Sequence, residues 1–201
     1  MLRVALTGGI ATGKSYVLDQ FRKRGIPCLD ADELAHGVTS SGTEATAAIA
    51  QRFGREVLDV DGSVDRAKLG PVVFADPTAR KDLEAIVHPA VYRAIAAGVR
   101  GFELVGSYPF AVIDIPLLFE TGTQDQFDKV IVTMCPPSVQ LARLIARGLS
   151  DEEARRRLAA QWPTSEKAAR ADFVIKTDGP FADTDRQVEI VFNALIGGRD
   201  G

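Results

Sequence analysis

Asparagine occurs once in this chain of 201 residues, at Asn193, and cysteine only twice, at Cys28 and Cys135. With its lone asparagine near the C-terminus and followed by Ala194, the chain holds no guanine-reading Asn-Lys-x-Asp segment, and a switch of that type is close to excluded. Two cysteines in apolar, strand-like surroundings give no disulfide framework and read as reduced core residues, which suits a cytoplasmic protein. No apolar run reaches the length of a transmembrane helix. The first such run is far too short for a signal peptide and ends in glycines. Neither sign of charge is in large excess: 24 Lys+Arg against 27 Asp+Glu leave −3, no reason to expect nucleic acid or an anionic membrane as a partner. Repeats and low-complexity tracts are absent. What remains is the composition of a soluble globular protein, 46% apolar and 25% charged, sufficient for a single domain (1–201) with a sizeable core.

The most informative stretch is Gly8-Gly9-Ile10-Ala11-Thr12-Gly13-Lys14-Ser15, which fits G-x-x-x-x-G-K-[ST], the P-loop. The preceding Leu2-Arg3-Val4-Ala5-Leu6 predicts a buried strand. From Ser15 to Gly25 a helix is predicted, with Val17, Leu18 and Phe21 on one face and a basic last turn. Strand, glycine loop and helix together form a phosphate cradle. Gly8 and Gly13 let the backbone curl so that successive N–H groups face phosphate oxygens, and the helix adds its positive N-terminal end. In this pattern Lys14 reaches the β- and γ-phosphates of a nucleoside triphosphate and the Ser15 hydroxyl ligates Mg²⁺.

Ile26 to Asp30 predicts a second strand, delivering Asp30-Ala31-Asp32 at its carboxyl end, the edge where open α/β sheets bind ligands. Helical spacing follows over Glu33–Val38 and Thr43–Phe53. Between 32 and 99 the strand–helix alternation stops, and Leu83, Ile86, Val87, Val91 and Ile95 recur at helical spacing with Pro71, Pro77 and Pro89 as punctuation. This predicts a helical insertion that binds the acceptor. Phe110 to Glu120 reads as the next buried strand, and its Asp114 as a metal-holding carboxylate, directly or through water. Its alternative is a turn cap. Asp128–Thr133 and Ala171–Ile175 are further strands, and Asp183–Leu195 a closing helix before a frayed Gly-Gly-Arg-Asp-Gly tail. From Pro136 to Arg170 seven Lys/Arg face four Asp/Glu. Ser138 begins a helix carrying Arg143 and Arg147 on a common face. Ser150 with Glu153 makes a capping box for a helix running to about Gln161 that carries Arg155-Arg156-Arg157. The segment 147–167 reads as a small basic lid over phosphate, although some of the three arginines must pair with the helix's own acids. The fold class is α/β: a three-layer P-loop NTPase-type fold with a central parallel sheet of about five strands, a helical insertion and a helical lid.

Taken together, Leu6-Thr7-Gly8-Gly9-Ile10, Gly13-Lys14-Ser15, Asp30-Ala31-Asp32, His88-Pro89 and Asp114-Ile115-Pro116-Leu117-Leu118-Phe119-Glu120 resemble the dephospho-coenzyme A kinase family. Gln140-x-x-Arg143-x-x-x-Arg147, Gln161, Lys167 and Ala171–Ile175 are similar to it in order and spacing. The resemblance spans about Leu2 to Gly179. It implies transfer of the ATP γ-phosphate to the ribose 3′-hydroxyl of dephospho-coenzyme A, the last step of coenzyme A biosynthesis. It also implies Asp32 as base, with orienting the hydroxyl or helping to hold Mg²⁺ as its other roles, Lys14 and Arg147 (Arg143 as runner-up) as charge-neutralising groups, and Gly8, Gly9, Ala11, Thr12, Gly13, Lys14, Ser15, Tyr16 and Arg143 on the ATP side. Asp32, His88 and Leu117 face the acceptor, and Ser15 and Asp114 hold Mg²⁺. Three departures stand out. Ala11 occupies the middle glycine of the family loop, which costs little at φ < 0 and strains the loop otherwise. Tyr16 replaces a threonine. Lys176-Thr177-Asp178-Gly179 replaces an Asn-containing turn near the base, so the adenine contacts stay unassigned. The rivals are another small P-loop kinase acting on a nucleoside monophosphate or metabolite, and a nucleotide-binding protein without catalysis. Oligomeric state is left open.

Overall fold

The structure, a computed structural model, describes residues 1–197, so the expected fraying from Gly198 onward lies outside the described residues. The three central strands, which read as apolar runs, are buried on both faces, the mark of a parallel sheet, while the two edge strands are partly exposed. β1 (Leu2–Gly8) is the centre of the sheet. On one side β3 (Phe110–Asp114) sets Leu6 opposite Asp114, and on the other β4 (Lys129–Met134) sets Gly8 opposite Thr133. β2 (Cys28–Asp30) and β5 (Phe173–Lys176) complete the order β2-β3-β1-β4-β5. From β1 the chain passes to the edge strand β2, returns inward to β3 beside β1, and then crosses to β4 and β5 on the other side. The exit of β1 is therefore the reversal point at which such sheets bind ligands.

The chain divides into two compact units, Met1–Leu29 with the segment from Gly101 onward, and Asp30–Arg100. In the first, α1 (Lys14–Lys23) and α9 (Phe181–Gly197) cover one sheet face. Val17, Leu18 and Phe21 from α1, with Val188, Val191 and Leu195 from α9, pack on Val4, Leu6, Val112 and Ile131. The alternate residues Ala5, Ala111, Ile113 and Val132 are equally buried, as the three-layer expectation requires. The segment after β4 forms α6 (Pro137–Ala146), α7 (Asp151–Ala159) and α8 (Thr164–Ala168). The single helix expected to run from Ser150 to about Gln161 therefore ends at Ala159.

The second unit is mainly helical, with α2 (Ala31–Val38), α3 (Glu44–Phe53), α4 (Arg66–Ala75) and most of α5 (Pro77–Val105), and a turn between α3 and α4 closed by the antiparallel bridge Leu58–Val64. Each of the first three starts at a side-chain cap, Asp30, Thr43 and Asp65, accepting backbone N–H groups of its first turn. Ile49, Val57 and Leu69 form its core with Leu83, Ile86 and Val87 packed around them. Pro71 and Pro89 lie inside α4 and α5, whereas the sequence pattern treats them as punctuation. A proline inside a helix costs about 3 kcal/mol. Burial of Ala79, Ala90, Val91 and Ile95 along α5 offsets that loss. His88 accordingly sits half-buried within a continuous helix and not at a helix entry.

Candidate active site

The loop from Gly8 to Ser15 owes its shape to three different constraints. Gly13 has φ +82° and stands as the N-cap of α1, where only a residue tolerant of the left-handed region fits. Gly8 belongs to β1 and needs no unusual φ. It is a glycine because a Cβ there would lie 2.4 Å from Thr133 Oγ1 and 2.6 Å from Thr133 O. At Gly9 a Cβ would come within 2.6 Å of Gln140 Nε2. The curl attributed to Gly8 in the sequence is thus a packing requirement.

Ala11 is the one non-glycine with positive φ among the described residues, at +60°. The strained alternative for this position is therefore the one realised, at a cost of about 1–2 kcal/mol. Its methyl is 8% exposed and packs with Leu144 of α6 and Ala154 of α7. Burying one methyl returns about 0.8 kcal/mol, so strain and packing come close to cancelling.

Side chains from distant segments then brace the loop. Thr12 Oγ1 donates to Gly9 O at 2.8 Å and shares a 2.8 Å hydrogen bond with Thr133 Oγ1. The Thr12 hydroxyl, expected on the ATP side, is thereby turned inward at 1% exposure, leaving only its backbone to face phosphate. Gln140 Nε2 donates to Ile10 O at 2.7 Å, and Ile10 N donates to Gln161 Oε1 at 2.7 Å. Arg143 donates to Ala11 O at 3.0 Å and to Thr177 O, while Thr177 Oγ1 donates to Thr12 O at 2.8 Å. Arg143 thus ties the loop to the turn after β5.

Lys14 Nζ lies 3.5 Å from Asp114 Oδ1 at the end of the neighbouring strand, and Asp114 is 4% exposed. Ser15 beside it is exposed. Tyr16 donates its hydroxyl to Asp185 Oδ1 at 2.8 Å and lies 4.6 Å from the Phe181 ring. The Asp185 hydrogen bond raises the phenol above its ordinary range. Leu117, past the exit of β3, is exposed.

The basic segment is less cationic than its composition suggests. Arg155 pairs with Asp151 at 2.6 Å and Arg157 with Glu153 at 2.9 Å, both within α7. Glu153 thus turns to Arg157, while Ser150 Oγ still accepts the Glu153 N–H at 3.3 Å. Arg170 stacks 4.7 Å over Trp162. Lys167, at the end of the expected lid, is fully buried. Arg147 at the C-cap of α6 is exposed and has no ion pair among the described residues. A cleft of about 750 Å³, lined by Gly9, Pro136, Gln140, Leu158, Trp162 and Thr164 among others, opens beside the loop. In the second unit, Asp32 is an exposed first-turn residue of α2 whose N–H is held by the Asp30 cap at 2.8 Å.

Two groups escaped the sequence pattern. Gln140 and Gln161 appear there only as matching letters, because their loop contacts span 130 and 151 residues. Lys167 with Glu120 escaped because a lysine in a basic segment reads as solvated.

A strand–loop–helix cradle with a lysine at its tip and a strand-end aspartate beside it defines a nucleotide site of the P-loop class. Shikimate kinase from Acinetobacter baumannii shares this fold, with a TM-score of 0.51 at 15% identity. The dephospho-CoA kinase family model matches residues 2–183, and the chain belongs to that family. Dephospho-CoA kinase of Anaeromyxobacter dehalogenans is 51% identical over 88% of this chain and 83% of its own length. That of Geobacillus kaustophilus is 46% identical over 93% of each. The solved dephospho-CoA kinase from Campylobacter jejuni superposes with a TM-score of 0.73 at 30% identity, covering 98% of both chains.

Proposed function

We propose that this chain transfers the γ-phosphate of ATP to the ribose 3′-hydroxyl of dephospho-coenzyme A, giving coenzyme A and ADP. The observation that carries the reading is the Lys14–Asp114 pair, 3.5 Å apart at the mouth of a braced P-loop, in a chain of this family. Backbone N–H groups of the loop and the start of α1 hold the phosphates, and Lys14 neutralises the β- and γ-oxygens. Mg²⁺ is a hard cation that takes oxygen ligands and keeps several waters. Among the described residues no cluster of three or more His, Cys, Asp or Glu could hold a metal. The fit is therefore to a site of few protein oxygens, the Ser15 hydroxyl and Asp114, completed by nucleotide phosphates. When bound, Mg²⁺ would supply neutralisation of the negative charge on the nucleotide phosphates.

Asp32 accepts the proton of the 3′-hydroxyl as that oxygen bonds to the γ-phosphorus and the bond to the β-phosphate oxygen breaks. The transition state is loose, so Asp32 serves more by position than by basicity. Arg147, cationic, exposed and outside any ion pair among the described residues, neutralises the transferred group from the lid 147–167. Arg143 and Tyr16 lie on the ATP side. The helical segment 32–99 binds the acceptor, which His88 and Leu117 contact. No described helix is long and apolar enough to cross a membrane. The working state we propose is cytoplasmic, with small-molecule substrates and neither nucleic acid nor membrane as partner.

The test is a panel of acceptors with purified protein and Mg·ATP. Dephospho-coenzyme A is expected to yield coenzyme A and ADP in equal amounts. Turnover of a nucleoside monophosphate or another metabolite, with none of dephospho-coenzyme A, would overturn the assignment.

A further inference from the structure

Lys167 is a fully buried lysine for which phosphate binding, lid closure and acceptor contact provide no use. Its ammonium donates to Gly8 O at 3.2 Å and to Pro116 O at 3.3 Å, and pairs with Glu120 Oε1 at 2.7 Å. Gly8 is both the last residue of β1 and the first of the loop. Pro116 lies two residues beyond Asp114, and its carbonyl also accepts from Thr7 Oγ1 at 3.2 Å. One cation therefore pins the exits of two adjacent strands, the same exits that present Lys14 and Asp114 to each other. Glu120 Oε1 additionally accepts the Trp162 N–H at 3.1 Å, and the Trp162 ring stacks on Phe119 with centroids 6.4 Å apart.

Stability alone is a poor reason for this arrangement. Desolvation of a buried ion pair cancels much of its attraction, and apolar residues of similar volume often serve a fold as well or better. Burial draws the Lys167 ammonium below the ordinary lysine range, opposed by its hydrogen bond and charge interaction with Glu120. Glu120 Oε2 is buried with no hydrogen-bond partner among the described residues, a further cost. What an apolar pair cannot do is hold two carbonyl oxygens of different strands at fixed places.

We propose that Lys167 is a positioning residue for phosphoryl transfer, setting the start of the phosphate loop and the Asp114 strand exit through Gly8 O and Pro116 O, with Glu120 as its counter-ion. This rests on the phosphate-site reading given above. Displacement of a binding group by about 1 Å costs up to about a hundredfold, and loosening both exits acts on that scale.

The experiment is calorimetric titration of Mg·ATP into the full chain and three variants, with thermal melting of each. Lys167→Met/Glu120→Leu removes both charges, leaving no lone buried ion. It is expected to melt close to the wild type yet bind Mg·ATP about tenfold more weakly or worse. Lys167→Arg keeps a buried cationic donor and is expected to bind Mg·ATP more tightly than the charge-free double variant. Should the double variant not fold, Lys167→Gln/Glu120→Gln carries the same comparison as a neutral, hydrogen-bonding pair too short to reach both carbonyls. Mg·ATP affinity within about twofold of wild type in the folded charge-free variant would overturn the proposal and reduce the pair to a fold contact. The readout needs no acceptor, so a wild type that fails to phosphorylate dephospho-coenzyme A counts against the functional assignment and leaves this test intact.

Discussion

The two compact units are held together by different kinds of force. In the first, the loop is fixed by hydrogen bonds between residues more than a hundred positions apart: Thr12 with Thr133, Gln140 with Ile10, Arg143 with Ala11, Lys167 with Gly8. In Asp30–Arg100, order is mostly local. Capped helices, a small cluster around Ile49 and surface pairs such as Arg52–Asp82 account for it. A phosphate cradle must hold its dipoles in place before the nucleotide arrives, because reorganising them during reaction forfeits their effect. Long-range bracing supplies that preorganisation. The helical unit, proposed above to bind the acceptor, is ordered instead by its own caps and small core.

The contrast is sharpest under mutation. Lys14→Ala removes the group proposed to neutralise the phosphates, and kcat/KM is expected to fall about 10²–10³-fold, measured by coupled ADP release. A loss below about tenfold would mean that the loop lysine is not engaged with the nucleotide. Ile49→Ala strikes the other unit. The expected loss is about 2–5 kcal/mol in denaturant unfolding. Amide-exchange protection should fall mainly across α3, α4 and the adjoining turns, while Leu6 and Ile131 amides stay protected. Equal loss in the sheet would break the distinction between the units.

Asp65→Ala removes the N-cap that accepts from Ala67 N at 2.9 Å and Lys68 N at 3.1 Å, with an expected cost of about 1 kcal/mol in the same unfolding measurement. The smallest effect belongs to Ala11→Gly. Relief of the left-handed strain and loss of the methyl contact with Leu144 and Ala154 oppose each other, so stability should change by less than about 1 kcal/mol. A larger loss would show the methyl to be a main anchor of α7.

Much of this was legible from residue order. Strands showed as apolar runs, the loop as a motif between strand and helix, and the second unit as a stretch where strands cease. These are local signals. The parts that stayed hidden depend on partners far away in the chain. Gly8 is glycine because of Thr133, and Lys167 is buried because Glu120 and two carbonyls await it. The continuity of α5 through Pro89 was equally hidden, since proline reads as a break until its neighbours are known to be buried. Arg155 and Arg157 pair with their own helix, which the sequence left as one of two possibilities.

The division of labour between the units is the central claim, and Asp32→Asn tests it most directly. Asp32 stands on the second unit, at the start of α2, and the nucleotide loop on the first. Titration of Mg·ATP into Asp32→Asn should give an affinity within about twofold of wild type, while turnover of dephospho-coenzyme A falls by about 10²-fold or more. Loss of Mg·ATP binding together with turnover would contradict the account, because Asp32 would then belong to the nucleotide side and not to the acceptor.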